Sequence, residues 1–443
     1  MSEVLKSIGL DVGTTSTQLV VSALTIENRA SGFSVPEMDI TRREVLYRSP
    51  VYFTPLLSGD LVDGSGIREI VEKEYEAAGI RREDVDTGAV IITGETSRKE
   101  NARTVLEALS DFAGDFVVAT AGPDLESVLA AKGAGAVAYS ADTGKTVLHM
   151  DIGGGTSNLA LIREGKVVRT GCLNVGGRLI RYDEAGKITY ISPVLTGLAE
   201  LKVGDFAEER DLFPVAKLLA AALETAAGRS LQPIPAKLFT VEAENRWDPM
   251  EETVIVSFSG GVADCIEKEQ NWRSFGDLGV LLGRAIRESR LCTGDYRLGM
   301  ETIRATVIGA GCHSAQLSGS TVYYQNVQFP MKNLPAVNIQ DPKELETWPE
   351  ELSVITWPGI QSPKYGQIKK MAKEIAANAK GPLLLCLEAD MAKALGQALA
   401  LELPGDAEIL CIDRVRLTEG SYLDIGSPTG GALPVVVKTL VLR

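Results

Sequence analysis

Histidine and paired cysteine are scarce in this 443-residue sequence, and their scarcity excludes several kinds of active site. His149 and His313 are the only histidines, so a Ser-His-Asp triad or a multi-histidine metal site has little to draw on. We interpret His149, which lies in an apolar run, as a core residue. The six cysteines are scattered without a CxxC pair, as expected for reduced thiols. Catalysis must then rest on carboxylates, backbone amides and a bound ion.

Long apolar runs and an excess of basic residues are missing as well. No apolar run approaches the ~18 residues that a transmembrane helix needs, and the first residues include acidic Glu3 without a secretory hydrophobic core. We therefore expect an intracellular, cytoplasmic protein without a membrane partner. Lysine and arginine total 45 against 59 aspartates and glutamates, and the net charge of −14 repels the phosphate backbone of nucleic acid. We expect no nucleic acid partner.

The sequence does contain an alternation of short apolar runs with longer amphipathic ones, which predicts α/β layers with largely parallel central strands. Helices are predicted at 66–78, 101–112 and 213–227, and an irregular loop is predicted at 333–363. The predicted strands are SIGLDV, TQLVVSAL, AVIITG, TVLHMDI, SNLALI, TVIVSFSG, RATVIGAG and PLLLCLEA. The second and fifth of these runs follow their predecessors so closely that we expect hairpins rather than crossovers.

The length predicts about two or three domains. Polar and glycine residues separate the periodic segments near positions 142 and 293, where we place the boundaries. The predicted domains are 1–142, 143–293 and 294–443.

The most informative feature is an internal duplication. Ile8–Ser22 aligns with Leu148–Ile162 at a constant offset of 140 positions, which places Asp11 over Asp151 and Gly13 over Gly153. In both copies an apolar strand ends in an aspartate, glycine and small hydroxyl residues follow, and a second apolar strand leaves the turn. The sequence therefore predicts two hairpins of the same design.

Such turns have the chemistry of an anion site. Glycine leaves backbone N–H groups free to converge on a phosphate, and the hydroxyls of Thr14, Thr15, Ser16 and Thr156 add donors. An aspartate next to a phosphate needs a divalent cation between them, and Mg²⁺ with its retained waters suits this arrangement. One turn alone is equally explained by an ordinary hairpin with a glycine bulge. Two facing turns would hold the β- and γ-phosphates of a nucleotide from both sides.

These residues resemble the superfamily of actin, sugar kinases and Hsp70-type proteins. IGLDVGTTST is similar to its first phosphate motif, HMDIGGGTSN to its second, and VIVSFSGGVAD to its adenosine motif. Residues 121–136 and 276–286 resemble its two connecting helices. The resemblance implies duplicated actin-like (ribonuclease H-like) ATPase lobes with a C-terminal α/β extension, and ATP with Mg²⁺ as ligands.

The resemblance also assigns roles to individual residues. It implies that Asp11 and Asp151 bind Mg²⁺ and position water, and that Gly260 and Gly261 face the adenosine. The water-activating carboxylate is open between Glu126, Asp124 and Glu95; we choose Glu126, whose alternative explanation is a solvated charge on a helix face. The residues expected around the phosphates are Gly13, Thr14, Thr15, Gly153, Gly154, Gly155 and Thr156.

Over nearly its full length the chain resembles the reactivating factors of ethanolamine ammonia-lyase. The stretches that carry this likeness include ITGETSRKENA, RATVIGAGCHSAQLSGST and DIGSPTGGALPVVVKTLV. The resemblance implies a chaperone-like ATPase whose partner is the lyase, from which it releases damaged cobalamin so that intact adenosylcobalamin can replace it. It leaves association with a bacterial microcompartment open. The alternatives are a small-metabolite kinase of the same fold and a filament-forming actin-like ATPase.

Overall fold

The computed structural model describes most of the chain, and the statements below concern the described part. The described residues are 3–13, 16–28, 38–58, 61–93, 117–120, 123–240, 254–313, 316–318, 321–346, 348–349, 351–415, 417, 421–428 and 433–439.

The first sheet contains the first copy of the duplicated hairpin. Its region comprises β1 (Glu3–Val12), β2 (Ser16–Asn28), β3 (Met38–Arg48), β4 (Tyr52–Phe53), β5 (Leu56–Ser58), β6 (Leu61–Val62), α1 (Gly64–Ala78), β7 (Thr87–Ile92) and β8 (Val117–Thr120). The order is β3-β2-β1-β7-β8, with β4 beside β2 and with β5 and β6 as a separate pair. The β1–β2 and β2–β3 pairs are antiparallel, whereas β1, β7 and β8 are parallel.

The second sheet repeats this order. Its region comprises α2 (Pro123–Gly133), α3 (Ala136–Thr143), β9 (Val147–Ile152), β10 (Ser157–Arg163), β11 (Lys166–Leu173), β12 (Ile180–Tyr182), β13 (Ile188–Ile191), α4 (Glu209–Ala226), β14 (Ile255–Ser259), α5 (Asp264–Glu267), α6 (Gly279–Arg287) and β15 (Tyr296–Leu298). The order β11-β10-β9-β14-β15 combines antiparallel and parallel neighbours as the first sheet does. Both predicted hairpins are confirmed, and the duplication extends to two sheets of the same strand order, which form the first and the second lobe.

Alternating side chains place each sheet between helices. In the first sheet Val90 and Ile92 pack toward α1, whereas Ala89 and Ile91 pack with Leu129 of α2. Ala131 of α2 packs instead with β9 and β10 of the second sheet, whose other face is covered by α4 and α6. Helix α2 therefore lies between the two sheets.

The run RATVIGAG is a helix, α7 (Ala305–His313), and its prediction as a strand was wrong. Its residues from Ala305 to Cys312 are all buried, so the run has no polar face, and periodicity cannot distinguish such a helix from a buried strand. α7 packs closely against α2 and β1: a Cβ added at Gly309 would lie 2.0 Å from the Leu129 carbonyl oxygen.

The C-terminal region forms a third, eight-stranded sheet of order β16-β23-β22-β18-β19-β20-β21-β17. β18 to β21 are parallel, and α8 and α9 cover one of the two faces of the sheet. Its elements are β16 (Gln316–Leu317), β17 (Tyr323–Gln325), β18 (Met331–Asn338), β19 (Val354–Trp357), α8 (Tyr365–Asn378), β20 (Leu383–Leu387), α9 (Ala392–Glu402), β21 (Ile409–Asp413), β22 (Ser421–Ile425) and β23 (Pro434–Thr439).

The prediction of an irregular loop at 333–363 was wrong in part, because β18 and β19 cross it and Pro342–Glu346 is a 3₁₀ helix. The helices predicted at 66–78 and 213–227 are confirmed as α1 and α4, and the one predicted at 101–112 lies outside the described residues. Shorter 3₁₀ helices occur at Arg82–Asp84, Pro193–Leu195, Ala236–Leu238 and Arg290–Cys292.

The domain boundaries at 142 and 293 stay a prediction. Beyond position 293, β15 completes the second sheet and α7 packs against the first. Within the described ranges, no helix has the length and apolar character to cross a membrane.

Candidate functional site

A cavity of about 410 Å³ lies between the two hairpin turns, within the usual size of a small-ligand site. Asp124 is exposed and does not line it; the Asp124 carboxylate accepts a hydrogen bond of 2.5 Å from Thr170. Thr14, Thr15 and Glu95 lie outside the described residues. The predicted site residues that line the cavity are Asp11, Gly13, Glu126, Asp151, Gly153, Gly154, Gly155, Thr156, Gly260 and Gly261.

The two turns close with the same backbone hydrogen bond. The N–H of Gly13 donates to the carbonyl oxygen of Ser16, and the N–H of Gly153 donates to that of Thr156, both at 2.9 Å. A Cβ at Gly155 would meet no atom within 4 Å, so this stretch of backbone is open to a ligand. The duplication seen in the sequence is therefore also a duplication of turn geometry at one cavity.

Asp11 is the penultimate residue of β1, opposite Gln18 of β2. The hydroxyl of Thr93, which follows β7, donates a hydrogen bond of 2.9 Å to the Asp11 carboxylate. Burial raises the pKa of Asp11 to about 7; the Thr93 hydrogen bond opposes this shift, and the charge of Asp151 adds to it. Among the described residues, no positive charge offsets the desolvation of this carboxylate.

Asp151 occupies the equivalent position in β9, opposite Asn158 of β10. Ser259 at the end of β14 donates a short hydrogen bond to one carboxylate oxygen, and Thr306 of α7 lies 3.4 Å from the other. Burial raises the pKa of Asp151 to about 6, although both hydroxyls lower it.

A directed chain of hydrogen bonds runs behind Asp151. Because the Ser259 hydroxyl donates its proton to Asp151, its oxygen must accept the 2.9 Å hydrogen bond from Nε2 of His149. Burial lowers the pKa of His149 to about 3, so the ring is neutral, and Nδ1 accepts the 3.2 Å hydrogen bond from Ser257. His149 is therefore a buried core residue with both ring nitrogens hydrogen-bonded, as predicted. Its Nε2–H holds the Ser259 hydroxyl in the orientation that donates to Asp151.

The donor set fits Mg²⁺ with retained waters. No group of three or more described histidine, cysteine, aspartate or glutamate side chains is arranged to hold a metal, and Mg²⁺ often uses one or two carboxylates besides water and phosphate. The side-chain amide oxygens of Gln18 and Asn158, beside the two aspartates, are buried without a hydrogen-bond partner among the described residues. Gln18 is also one of the residues that line the cavity.

The two glycines after β14, Gly260 and Gly261, have different reasons to be glycine. Gly260 has φ +86°, and a Cβ there would lie 2.3 Å from the Ile152 carbonyl oxygen. A Cβ at Gly261 would meet only Ile303, at 4.0 Å. Gly260 is thus required by the turn itself, whereas Gly261 borders open space in the cavity.

The family model and two similar sequences agree on one family. The family model described as ethanolamine utilisation protein EutA matches residues 3–443. The chain belongs to this family. It is 37% identical to the ethanolamine ammonia-lyase reactivase EutA of Salmonella typhimurium and 36% identical to that of Escherichia coli K12, each over 98% of both chains. The family assignment favours neither a small-metabolite kinase nor a filament-forming protein.

Solved structures resemble the chain more distantly. EutJ from Carboxydothermus hydrogenoformans is 18% identical with a TM-score of 0.36, covering 69% of this chain and 88% of its own. The Aquifex aeolicus PPX-GPPA enzyme is 12% identical with a TM-score of 0.40, covering 69% and 99%.

Sequence reasoning missed a further part of the cavity wall in this family member. Arg178 and Asp277 line it from the second lobe, and Tyr52 and Phe53 line it from the first. The signal that could have located Arg178 is the glycine pair that precedes it. The N–H groups of Gly177 and Arg178 donate to the carbonyl oxygens of the second turn, at 3.0 and 2.6 Å.

Proposed function

We propose that this protein is an ATP-dependent, chaperone-like reactivating factor for adenosylcobalamin-dependent ethanolamine ammonia-lyase. In this proposal it releases damaged cobalamin so that intact adenosylcobalamin can replace it. The observation that carries the nucleotide part is the meeting of Asp11 and Asp151, with their two glycine turns, at one cavity. The lyase part is supported by the two relatives, which are both ethanolamine ammonia-lyase reactivases.

The residues of the cavity would have different roles in binding and hydrolysing the nucleotide. The second turn offers the N–H groups of Gly154 and Gly155 to the phosphates, while Asp11 and Asp151 hold the ion and its waters. Mg²⁺, when bound, neutralises charge on the phosphates and on both carboxylates. Glu126, at the cavity wall on α2, is our candidate for orienting the attacking water. Phosphoryl transfer needs little more than this positioning.

Nucleotide binding would also connect the two lobes through the segment that joins β15 to α7. The carbonyl oxygen of Thr302 accepts from the N–H of Gly260 at 3.0 Å, and that of Ile303 accepts from Nε2 of Gln18 at 3.2 Å. The segment therefore touches both the adenosine-side turn and the first hairpin. A nucleotide held by both turns would change the relative position of the lobes, and with it the affinity for a partner.

The test uses inactivated lyase holoenzyme mixed with free adenosylcobalamin, Mg²⁺ and this protein, with or without ATP. We expect lyase activity to return only in the mixture with ATP, and a non-hydrolysable ATP analogue separates binding from hydrolysis. An absence of recovery above the mixture without ATP refutes the assignment. We place this activity in the cytoplasm, where any association with a bacterial microcompartment would follow the lyase.

A further inference from the structure

The charge of the cavity wall is uneven. Among the described lining residues, Arg178 is the single cationic side chain, whereas Asp11, Glu126, Asp151 and Asp277 are acidic. A nucleotide polyphosphate entering this cavity would meet four carboxylates. Besides Mg²⁺ and backbone amides, Arg178 is the described group that can compensate its charge.

Arg178 is held in place from two directions. Its Nε lies 3.3 Å from a carboxylate oxygen of Asp277, and Asp277 is buried and anchored by accepting a 2.8 Å hydrogen bond from the N–H of Gly279. The aliphatic part of the Arg178 side chain lies over the second glycine turn, with carbons 3.4–3.5 Å from the position of a Cβ at Gly154. The guanidinium is thus fixed beside the backbone that forms the predicted phosphate cradle.

Arg178 also lies near the first hairpin. Its guanidinium carbon is 6.0 Å from the centre of the Phe53 ring. Phe53 belongs to β4, where it pairs with Ser16 of the first turn. One side chain of the second lobe therefore reaches the wall built by the first, across the space where the two turns face each other.

We propose that Arg178 binds the phosphate groups of the nucleotide, with Asp277 as the residue that positions it. This inference rests on the proposed nucleotide function and deepens it. A guanidinium held through Nε keeps its two terminal nitrogens for a phosphate, and its planar donors match phosphate oxygens in pairs. The ligands it recognises are nucleoside di- and triphosphates, because the contact is to the polyphosphate and not to the base.

The test measures the affinity of the full-length protein for Mg·ATP, Mg·ADP and AMP by calorimetry. We expect Arg178→Met to weaken ATP and ADP binding about 10- to 100-fold and AMP binding less. Arg178→Lys should recover only part of the loss, since an ammonium does not donate in a planar pair. Arg297→Met is the matched control: Arg297 lies exposed on β15, stacks on Tyr139 and does not line the cavity, so the affinities of this variant should equal those of the wild type.

Removing Arg178 leaves Asp277 buried without its partner, which by itself destabilises a fold. The double variant Arg178→Met, Asp277→Asn removes that charge and carries the same expectation. Unchanged ATP affinity in either variant overturns the inference, as does an equal loss for ATP and AMP. If the wild type itself does not bind Mg·ATP, the proposed function fails first and this inference fails with it.

Discussion

At the scale of single residues, the two buried aspartates lower the stability of the ligand-free protein when they are ionised. Burial raises the pKa of Asp11 to about 7 and that of Asp151 to about 6, so each binds a proton more readily in the folded than in the unfolded chain. Between about pH 4 and pH 6 the folded state holds more protons, and its free energy of unfolding therefore falls as the pH rises. Each aspartate contributes up to about 1.4 kcal/mol per pH unit.

We predict that Asp11→Asn stabilises the ligand-free protein at about pH 8, where the native aspartate is ionised and unneutralised, and changes it little near pH 4. The measurement is urea unfolding at both pH values without Mg²⁺ or nucleotide. Asp142→Asn, an exposed carboxylate outside the cavity, is the control and should show no such pH dependence. If Asp11→Asn is no more stable than the wild type at pH 8, burial of the ionised Asp11 carboxylate does not destabilise the protein.

The hydrogen-bond chain behind Asp151 makes a spectroscopic prediction. While Asp151 is ionised, Ser259 and Ser257 impose one tautomer, so His149 should be neutral, with its proton on Nε2, from about pH 7 to pH 9. Nitrogen-15 spectra of histidine-labelled protein measure this directly, and His149→Gln assigns the signal against His313. A proton on Nδ1, or a titration near the ordinary histidine pKa, would show that the chain runs otherwise.

At the scale of elements, the close packing of α7 against α2 makes Gly309 sensitive to substitution. Alanine normally stabilises a helix relative to glycine, by up to about 1 kcal/mol. At Gly309 the added methyl would collide with the backbone at Leu129, so we predict that Gly309→Ala lowers the free energy of unfolding by about 1–3 kcal/mol.

Gly366 in α8 provides the matched control, because a Cβ there meets no atom within 4 Å. Gly366→Ala should be neutral or slightly stabilising in the same denaturant titration. Equal effects at the two glycines would mean that the helices move apart easily, and that the close approach does not determine the stability.

At the scale of the whole molecule, the nucleotide contacts both lobes in our proposal, so neither lobe should bind it fully alone. At a concentration 100 times its dissociation constant, a ligand raises the free energy of unfolding by about 2.7 kcal/mol. We predict that Mg·ATP raises the melting temperature of the wild type, and that Asp11→Asn and Asp151→Asn each remove most of this increase although they lie in different lobes.

The same variants should lose Mg²⁺-dependent ATP turnover, measured by phosphate release, while Asp142→Asn keeps it. Full turnover in both aspartate variants would overturn the roles proposed for them. A loss in only one variant would place the ion on a single lobe and would remove the argument that nucleotide links the two.

The amino-acid sequence alone determined the duplication, the two hairpins and the local chemistry of the turns. These features depend on residues near each other in the chain, where an aspartate, a glycine and small hydroxyls follow an apolar strand. The long-range resemblance of the whole chain also indicated the family. The type of the buried run at α7 could not be predicted, since a segment covered on every side has no polar face to reveal its period.

Only the tertiary structure decided what lies opposite each turn. Arg178, Asp277 and Phe53 come from three distant parts of the chain, and apart from the glycine pair before Arg178 no local pattern indicates that they meet at one cavity. Ser259 of β14 and Thr306 of α7 likewise come from different parts of the chain, and only the fold brings both hydroxyls to the Asp151 carboxylate. Local pattern specifies how a turn is shaped, whereas packing between distant elements decides which charges it faces.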